Sequence, residues 1–264
     1  MPLRSATLAA LALGCAAFAG VAARADGVGY QDLLNRLGAA APTGAGVAVV
    51  QVEAGGTTYV PNQSHPDFAG KTFTLNSGAG SVSSHATEVG RSWYGTSLGM
   101  AKGVTNIQCY EAGAWIGTGY LRVGAGPNST PLTPPASARI FNHSWIGSAG
   151  SSTLDNESLR RADFAMRRDF TLMISGENNG AGSTAQPLMA MGYNGLAVGL
   201  VNGGHSAGAT PSNIDGAGRQ KPEIVAPGDF TSFSTPVVSA AAALLYETAT
   251  QGALASETWA RRGV

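Results

Sequence analysis

The chain has 264 residues, of which 44% are hydrophobic and 12% charged, and its acidic and basic side chains balance to a formal net charge of zero. That length and apolar content suffice for one large α/β domain or two small cores, and a neutral balance without like-charge blocks argues against a nucleic-acid partner. The 37 glycines are dispersed between apolar runs with no Gly-x-y period, so collagen-like and low-complexity readings fail.

At the N-terminus Arg4 precedes an apolar stretch from Ala6 to Ala22, and Ala23-Arg24-Ala25 stands before Asp26. This is the pattern of a signal peptide over residues 1–25 with an A-x-A cleavage site. The apolar run is broken by glycines and short for a bilayer core of ~30 Å, and the residues after Cys15 lack a lipoprotein's polar tether. The mature chain is therefore expected to be secreted or periplasmic, with no membrane attachment after cleavage. Cys109 is then its only cysteine, which rules out an intramolecular disulfide. Its setting in GVTNIQCYEAGAW predicts a small buried hydrophobe. The histidines and this cysteine show no metal-ligand spacing.

Tyr30, Leu33, Leu34 and Leu37 fall at i, i+3, i+4, i+7 and Gly38 follows, which predicts a short amphipathic helix. After Pro42, the segment GAGVAVVQVEAGG carries a nearly continuous apolar run, suited to a parallel strand covered on both faces. MAKGVTNIQCYEA, SARIFNHSWIG, FTLMISGENNG and LAVGLVNGG give four more strands, and NESLRRADFAMRR is helical. The last loop leads into a long apolar helix from Pro236 onward, with Ser232 at its start. Strands alternating with helices and ending in glycine-rich turns predict a three-layer αβα fold with a mostly parallel, doubly wound sheet.

In such sheets the loops beyond the carboxyl ends of the strands carry the chemistry. Glu53, His85, the 142–145 stretch, Asn178, Asn179 and Ser232 lie there, a parts list for acyl transfer: a hydroxyl nucleophile, an imidazole to take its proton, a carboxylate to orient the imidazole and an amide to steady an oxyanion. Each residue also has a plainer reading. Ser232 can be a first-turn residue, His85 a surface histidine, Glu53 a solvated strand end, and the two asparagines beside Gly180 turn residues.

Taken together and in order, these segments resemble the subtilisin-like serine peptidases, the subtilases. GAGVAVVQVEAG is similar to the strand that ends in the family's catalytic acid, with Glu53 at that place. SHATEVG resembles the histidine motif S-H-G-T-H-V-A-G and places His85 as the base. GMAKGVTNI is similar to G-V-A-P-G-A, and FNHSWIG resembles the strand whose backbone pairs with substrate. SGENNG resembles A-A-G-N-x-G and points to Asn178 for the oxyanion. KPEIVAPGDFTSFSTPVVSAAAALL is similar to K-P-D-V-x-A-P-G followed by G-T-S-M-A-S-P-H-V-A-G-A-A-A-L, with Ser232 as nucleophile. The resemblance runs from about Gly44 to Leu245.

It implies a peptidase domain over residues 26–264 that acts as an exported serine endopeptidase on peptide or protein substrates, through a Ser-His-Glu triad and an acyl-enzyme, as a monomer. Ser144, Trp145 and Ile146 would bind extended peptide and Phe230 would shape the first specificity pocket. The family is often calcium-stabilised, but no ligand loop of recognisable spacing is present, so no cofactor is expected to be required. Several departures stand out. Glu53 replaces an aspartate, Phe230 a glycine, and Ala86 and Glu88 a glycine and a histidine. TQGALASETWARRGV also stops short of the family's further helix, so a C-terminally shortened domain is expected. These departures support an alternative, a catalytically impaired peptide-binding protein of the same fold. An acid-acting sedolisin-like enzyme is disfavoured by the histidine motif.

Overall fold

A computed structural model of the chain describes residues 26–216, 218–251 and 255; the expected signal peptide lies outside them. Its centre is a seven-stranded parallel sheet of β1 (Ala48–Glu53), β2 (Thr72–Leu75), β3 (Asn106–Glu111), β4 (Ile140–His143), β5 (Leu172–Gly176), β6 (Leu196–Leu200) and β7 (Ile224–Ala226). The strands lie side by side in the order β7-β6-β5-β4-β1-β3-β2, every neighbouring pair parallel. The principal helices are α1 (Tyr30–Leu37), α2 (Ser84–Trp93), α3 (Ser152–Asp169) and α4 (Thr231–Thr250). The chain winds from β1 out to one edge and, from β4, out to the other. The switch point therefore falls between β1 and β4, the place where open α/β sheets ordinarily carry their ligand crevice.

The five apolar runs of the sequence are the five inner strands. The two edge strands were not anticipated, because neither shows a buried run: β2 alternates exposed and half-buried residues, and Ile224 and Val225 of β7 are exposed. Their pairing is supplied by the neighbouring strand rather than by their own side chains. Along β1 the side chains alternate between two cores. Val49 faces a layer with Trp93, Tyr94, Val237 and Leu244 from the α2 and α4 side, and Val50 and Val52 face one with Trp115, Leu159, Ala162 and Met166 from the α3 side. Full burial of each such aliphatic side chain is worth roughly 1.5–3 kcal/mol, which is what holds helices on both faces. Cys109 lies in the first of these layers, 1% exposed, with its thiol pKa pushed up by burial and by the charge of Glu53, as expected for an inert packing residue.

Helix α2 starts on a cap in which Ser83 Oγ accepts from Ala86 N–H at 3.1 Å, so the position of His85 in the first turn is locally determined. Helix α4 begins at Thr231, one residue ahead of the expected start at Ser232, and Pro236 lies inside it. The polar run Thr231-Ser232-Phe233-Ser234-Thr235 is helical because its hydroxyls bond back to the chain: Ser234 Oγ and Thr235 Oγ1 both donate to the Thr231 carbonyl. The far half of α4 is tied to the loop feeding β1, where Glu247 Oε2 accepts from the N–H groups of Thr43 at 2.6 Å and Gly44 at 2.5 Å. The central strand and the serine-bearing helix are thereby held in one frame. Although α4 has 20 residues, no described helix is long and apolar enough to cross a membrane.

Candidate active site

Glu53 is the last residue of β1, at the switch point, and is 1% exposed. Its Oε2 lies 2.8 Å from His85 Nδ1. A carboxylate oxygen accepts, so Nδ1 carries the proton and Nε2 is left as the ring's acceptor. The second oxygen, Oε1, accepts from the Gln51 amide at 2.8 Å. The imidazole is 40% exposed. Partial burial pulls its pKa down, but the charge and hydrogen bond of Glu53 outweigh that, and the pKa is raised from 6.5. The extra methylene of glutamate is thus accommodated without losing contact: the side chain is sequestered and both oxygens are occupied.

Ser232 is the second residue of α4 and is partly exposed. Its hydroxyl lies 3.4 Å from the Ser144 carbonyl, just beyond β4. The next residue, Phe233, packs its ring 5.9 Å from that of His85. The start of α4 is thereby packed alongside the imidazole. No hydrogen bond links them among the described residues, and such contacts commonly tighten only with substrate bound. At the start of α4 the N–H groups of Phe233 and Ser234 turn back to the Phe230 carbonyl. The Ser232 N–H has no backbone partner among the described residues and sits at the positive end of the helix dipole.

The two asparagines differ in a way that SGENNG does not reveal. Asn178 turns its side chain away, its Nδ2 donating to the Thr184 carbonyl at 3.0 Å, while its N–H donates to Ser206 Oγ at 3.1 Å. One of the two amide hydrogens of Asn178, the expected oxyanion donor, is thus held by the Thr184 carbonyl. Asn179 instead accepts the Thr231 N–H through Oδ1 at 2.8 Å, which puts its amide beside the residue before Ser232. Its Nδ2 has no partner among the described residues. Asn178 and Asn179 lie just beyond β5, Asn179 bridging to His205, and their side chains take different partners.

The expected substrate-binding residues divide similarly. Ser144 is buried, and its Oγ accepts from Asn142 Nδ2 at 2.9 Å. Trp145 is 6% exposed and lies in the α3-side core against His143, with ring centroids 5.8 Å apart. Its side chain is therefore packed in the interior, two residues beyond the end of β4. The backbone N–H groups of Trp145 and Ile146 form no backbone hydrogen bond among the described residues. Phe230 is half-buried at the cap of α4 and packs edge-on to Phe233 at 6.4 Å, so an aromatic row runs from Phe230 through Phe233 to His85. Asn142, in a glycosylation-type triplet, is fully buried and accepts from Ser239 of α4, so it joins strand to helix. Among the described residues no three acidic, histidine or cysteine side chains converge as a metal site requires.

No family model matches the sequence, and no curated protein matches it. Solved structures do. The chain is similar to the PatG macrocyclase domain, with TM-score 0.56, 16% identity and coverage of 84% of this chain and 81% of that one. It is also similar to the patellamide maturation protease PatG, with TM-score 0.55, 14% identity and the same 84% and 81% coverage. A cold-adapted subtilisin-like serine proteinase matches with TM-score 0.52, 20% identity and coverage of 78% and 77%. Identities this low speak to architecture rather than activity. With the parallel sheet, the strand order and these likenesses in agreement, the chain has the fold of the subtilisin-like proteases.

Proposed function

We propose that the chain is an exported serine endopeptidase that hydrolyses peptide bonds through Ser232, His85 and Glu53. The single observation that carries this reading is the 2.8 Å contact of buried Glu53 with His85 at the switch point, beside the residue that follows Ser232. A carboxylate sequestered on the inner nitrogen of a partly exposed imidazole is what a general base needs and what a surface histidine lacks.

In this reading an extended peptide pairs with the free backbone of the Trp145–Ile146 segment, as an added strand. Ser232 Oγ attacks the scissile carbonyl carbon while His85 Nε2 takes the hydroxyl proton. Glu53 holds the Nδ1–H and balances the imidazolium. The carbonyl oxygen, now negative, is met by the Ser232 N–H and Asn179 Nδ2. Collapse breaks the C–N bond, His85 returns the proton to the leaving amine, and water, deprotonated by the same ring, releases the acyl group. Substrates are unfolded peptide or protein, and the place of action is secreted or periplasmic, as the N-terminal segment suggests. No cofactor is needed for these steps.

A fluorophosphonate probe applied to the mature protein, followed by peptide mapping, tests the assignment. Labelling on Ser232, lost in Ser232→Ala, together with cleavage of unfolded casein, supports it. Undiminished labelling of Ser232→Ala, or a folded protein that neither labels nor cleaves, refutes it; the latter result would favour the peptide-binding alternative.

A further inference from the structure

Gln51 occupies an unusual place. It lies in the centre of a sheet strand, 0% exposed, on the α2- and α4-side face of β1 that it shares with Val49 and Glu53. A buried amide is costly unless all its polar atoms are met, and here each makes a directed bond. Gln51 Nε2 donates to Glu53 Oε1 at 2.8 Å and to the Ala86 carbonyl at 2.8 Å. Gln51 Oε1 accepts from the Tyr94 hydroxyl at 2.5 Å. The amide cannot be flipped, because its oxygen would then face two acceptors. Two residues apart on one strand, Gln51 and Glu53 share a face, so the amide reaches the carboxylate side-on. The Ala86 carbonyl belongs to the residue after His85, so one amide group touches both the acid and the helical turn that carries the base.

We infer that Gln51, held by Tyr94, is the positioning residue that lets a glutamate serve where a shorter acid would be expected: it fixes Oε1 so that Oε2 meets His85 Nδ1. Without it, the longer side chain has an additional rotatable bond and an unpaired buried oxygen. Donation runs in one direction, from the Tyr94 hydroxyl to Gln51, and from Gln51 and His85 to Glu53. The titratable groups around the network are Glu53 on β1, His85 on α2, Tyr94 after α2, Cys109 on β3 and Lys71, whose ammonium lies 5.8 Å over the Tyr94 ring. Burial raises the pKa of Tyr94 and of Cys109, so both stay protonated. Gly90 makes room for the phenol: a Cβ there would stand 2.5 Å from the Tyr94 hydroxyl oxygen.

This inference rests on the Ser232–His85–Glu53 reading for its catalytic meaning, but its test does not depend on activity. The imidazole of His85 is titrated by NMR in Ser232→Ala protein, alone and combined with Gln51→Leu or Tyr94→Phe. The expected result is a His85 pKa that falls toward or below ~6.5 in both combinations, with Tyr94→Phe the milder. In the Ser232 background, Gln51→Leu should slow fluorophosphonate labelling by on the order of 10²-fold, as expected of a misplaced catalytic group. An unchanged His85 pKa in folded variants overturns the inference. Tyr94→Phe, which removes one oxygen and keeps the ring, decides the question if Gln51→Leu does not fold. Wild-type protein that fails to label would instead sink the peptidase reading while the titration still judged the brace.

Discussion

His143, the last residue of β4, offers a sharp test of how burial governs this protein. Its ring is 0% exposed, wedged edge-on against Trp115 at 4.7 Å and Trp145 at 5.8 Å. Neither ring nitrogen has a hydrogen-bond partner among the described residues. Burial lowers its pKa to about 3, so it is neutral in the folded protein. The unfolded chain, with an ordinary value of ~6.5, takes up a proton first as the pH falls. Stability is therefore fully present above ~6.5 and is lost at up to about 1.4 kcal/mol per pH unit below it. Integrated from pH 7 to pH 5, this one residue removes about 2 kcal/mol, which for a chain of this size is roughly 4–8 °C in melting temperature. The measurement compares Ser232→Ala with Ser232→Ala/His143→Leu by thermal unfolding at both pH values, the serine change removing the proposed nucleophile. Other titrating groups are common to both proteins and cancel. The double variant should gain roughly 4–8 °C on its parent between pH 7 and pH 5. Melting temperatures that fall in parallel would show that His143 does not titrate across folding, and the reasoning would fail.

Three further outcomes are expected. Because Glu53 raises the pKa of His85 from 6.5 and the base must be neutral, kcat/KM should rise with pH through a value above 6.5; Glu53→Gln should move that limb downward and slow turnover by on the order of 10⁴-fold, the loss seen when a triad acid becomes an amide. Asn179→Ala should lower kcat by on the order of 10²–10³-fold, the usual worth of one oxyanion donor, whereas Asn178→Ala should leave kcat within a few-fold; the opposite order would restore Asn178 to the role its motif position implied. Gly90→Ala should destabilise the fold by about 1–3 kcal/mol through overpacking, read by urea denaturation, because the new methyl meets the Tyr94 hydroxyl oxygen at 2.5 Å and Phe68 at 3.0 Å.

Local patterns in the sequence reached far into this protein. The runs around Val49, Ile107, Ile140, Ile174 and Val198 are apolar enough to demand cover on both faces, so five parallel inner strands and their layer order were legible. So was the amphipathic α1, whose stop at Gly38 takes up a positive φ of 53°. The order of chemical groups after those strands pointed to Glu53, His85 and Ser232, since residues at strand ends and helix starts are placed by their elements. What escaped was whatever depends on a neighbour distant in the chain. Edge strands β2 and β7 exist because β3 and β6 offer unpaired backbone, and nothing in their own residues announces it. Which of two adjacent asparagines meets Thr231 is decided by how the segment beyond β5 packs against the start of α4, and the burial of Trp145 by the α3-side core beyond the end of β4.

The amino-acid order alone thus determined the layers, the five inner strands and which chemical groups stand at their ends, because periodicity and capping act within a few residues. Only the tertiary structure decided how those groups are aimed. Gln51 on a central strand reads as an isolated polar intrusion until Tyr94 and the first turn of α2 close around it, and Glu53 reads as one methylene too long until that amide takes its second oxygen. Burial removes water as the alternative partner, so the direction of each side chain is set by the donors and acceptors that packing brings to it.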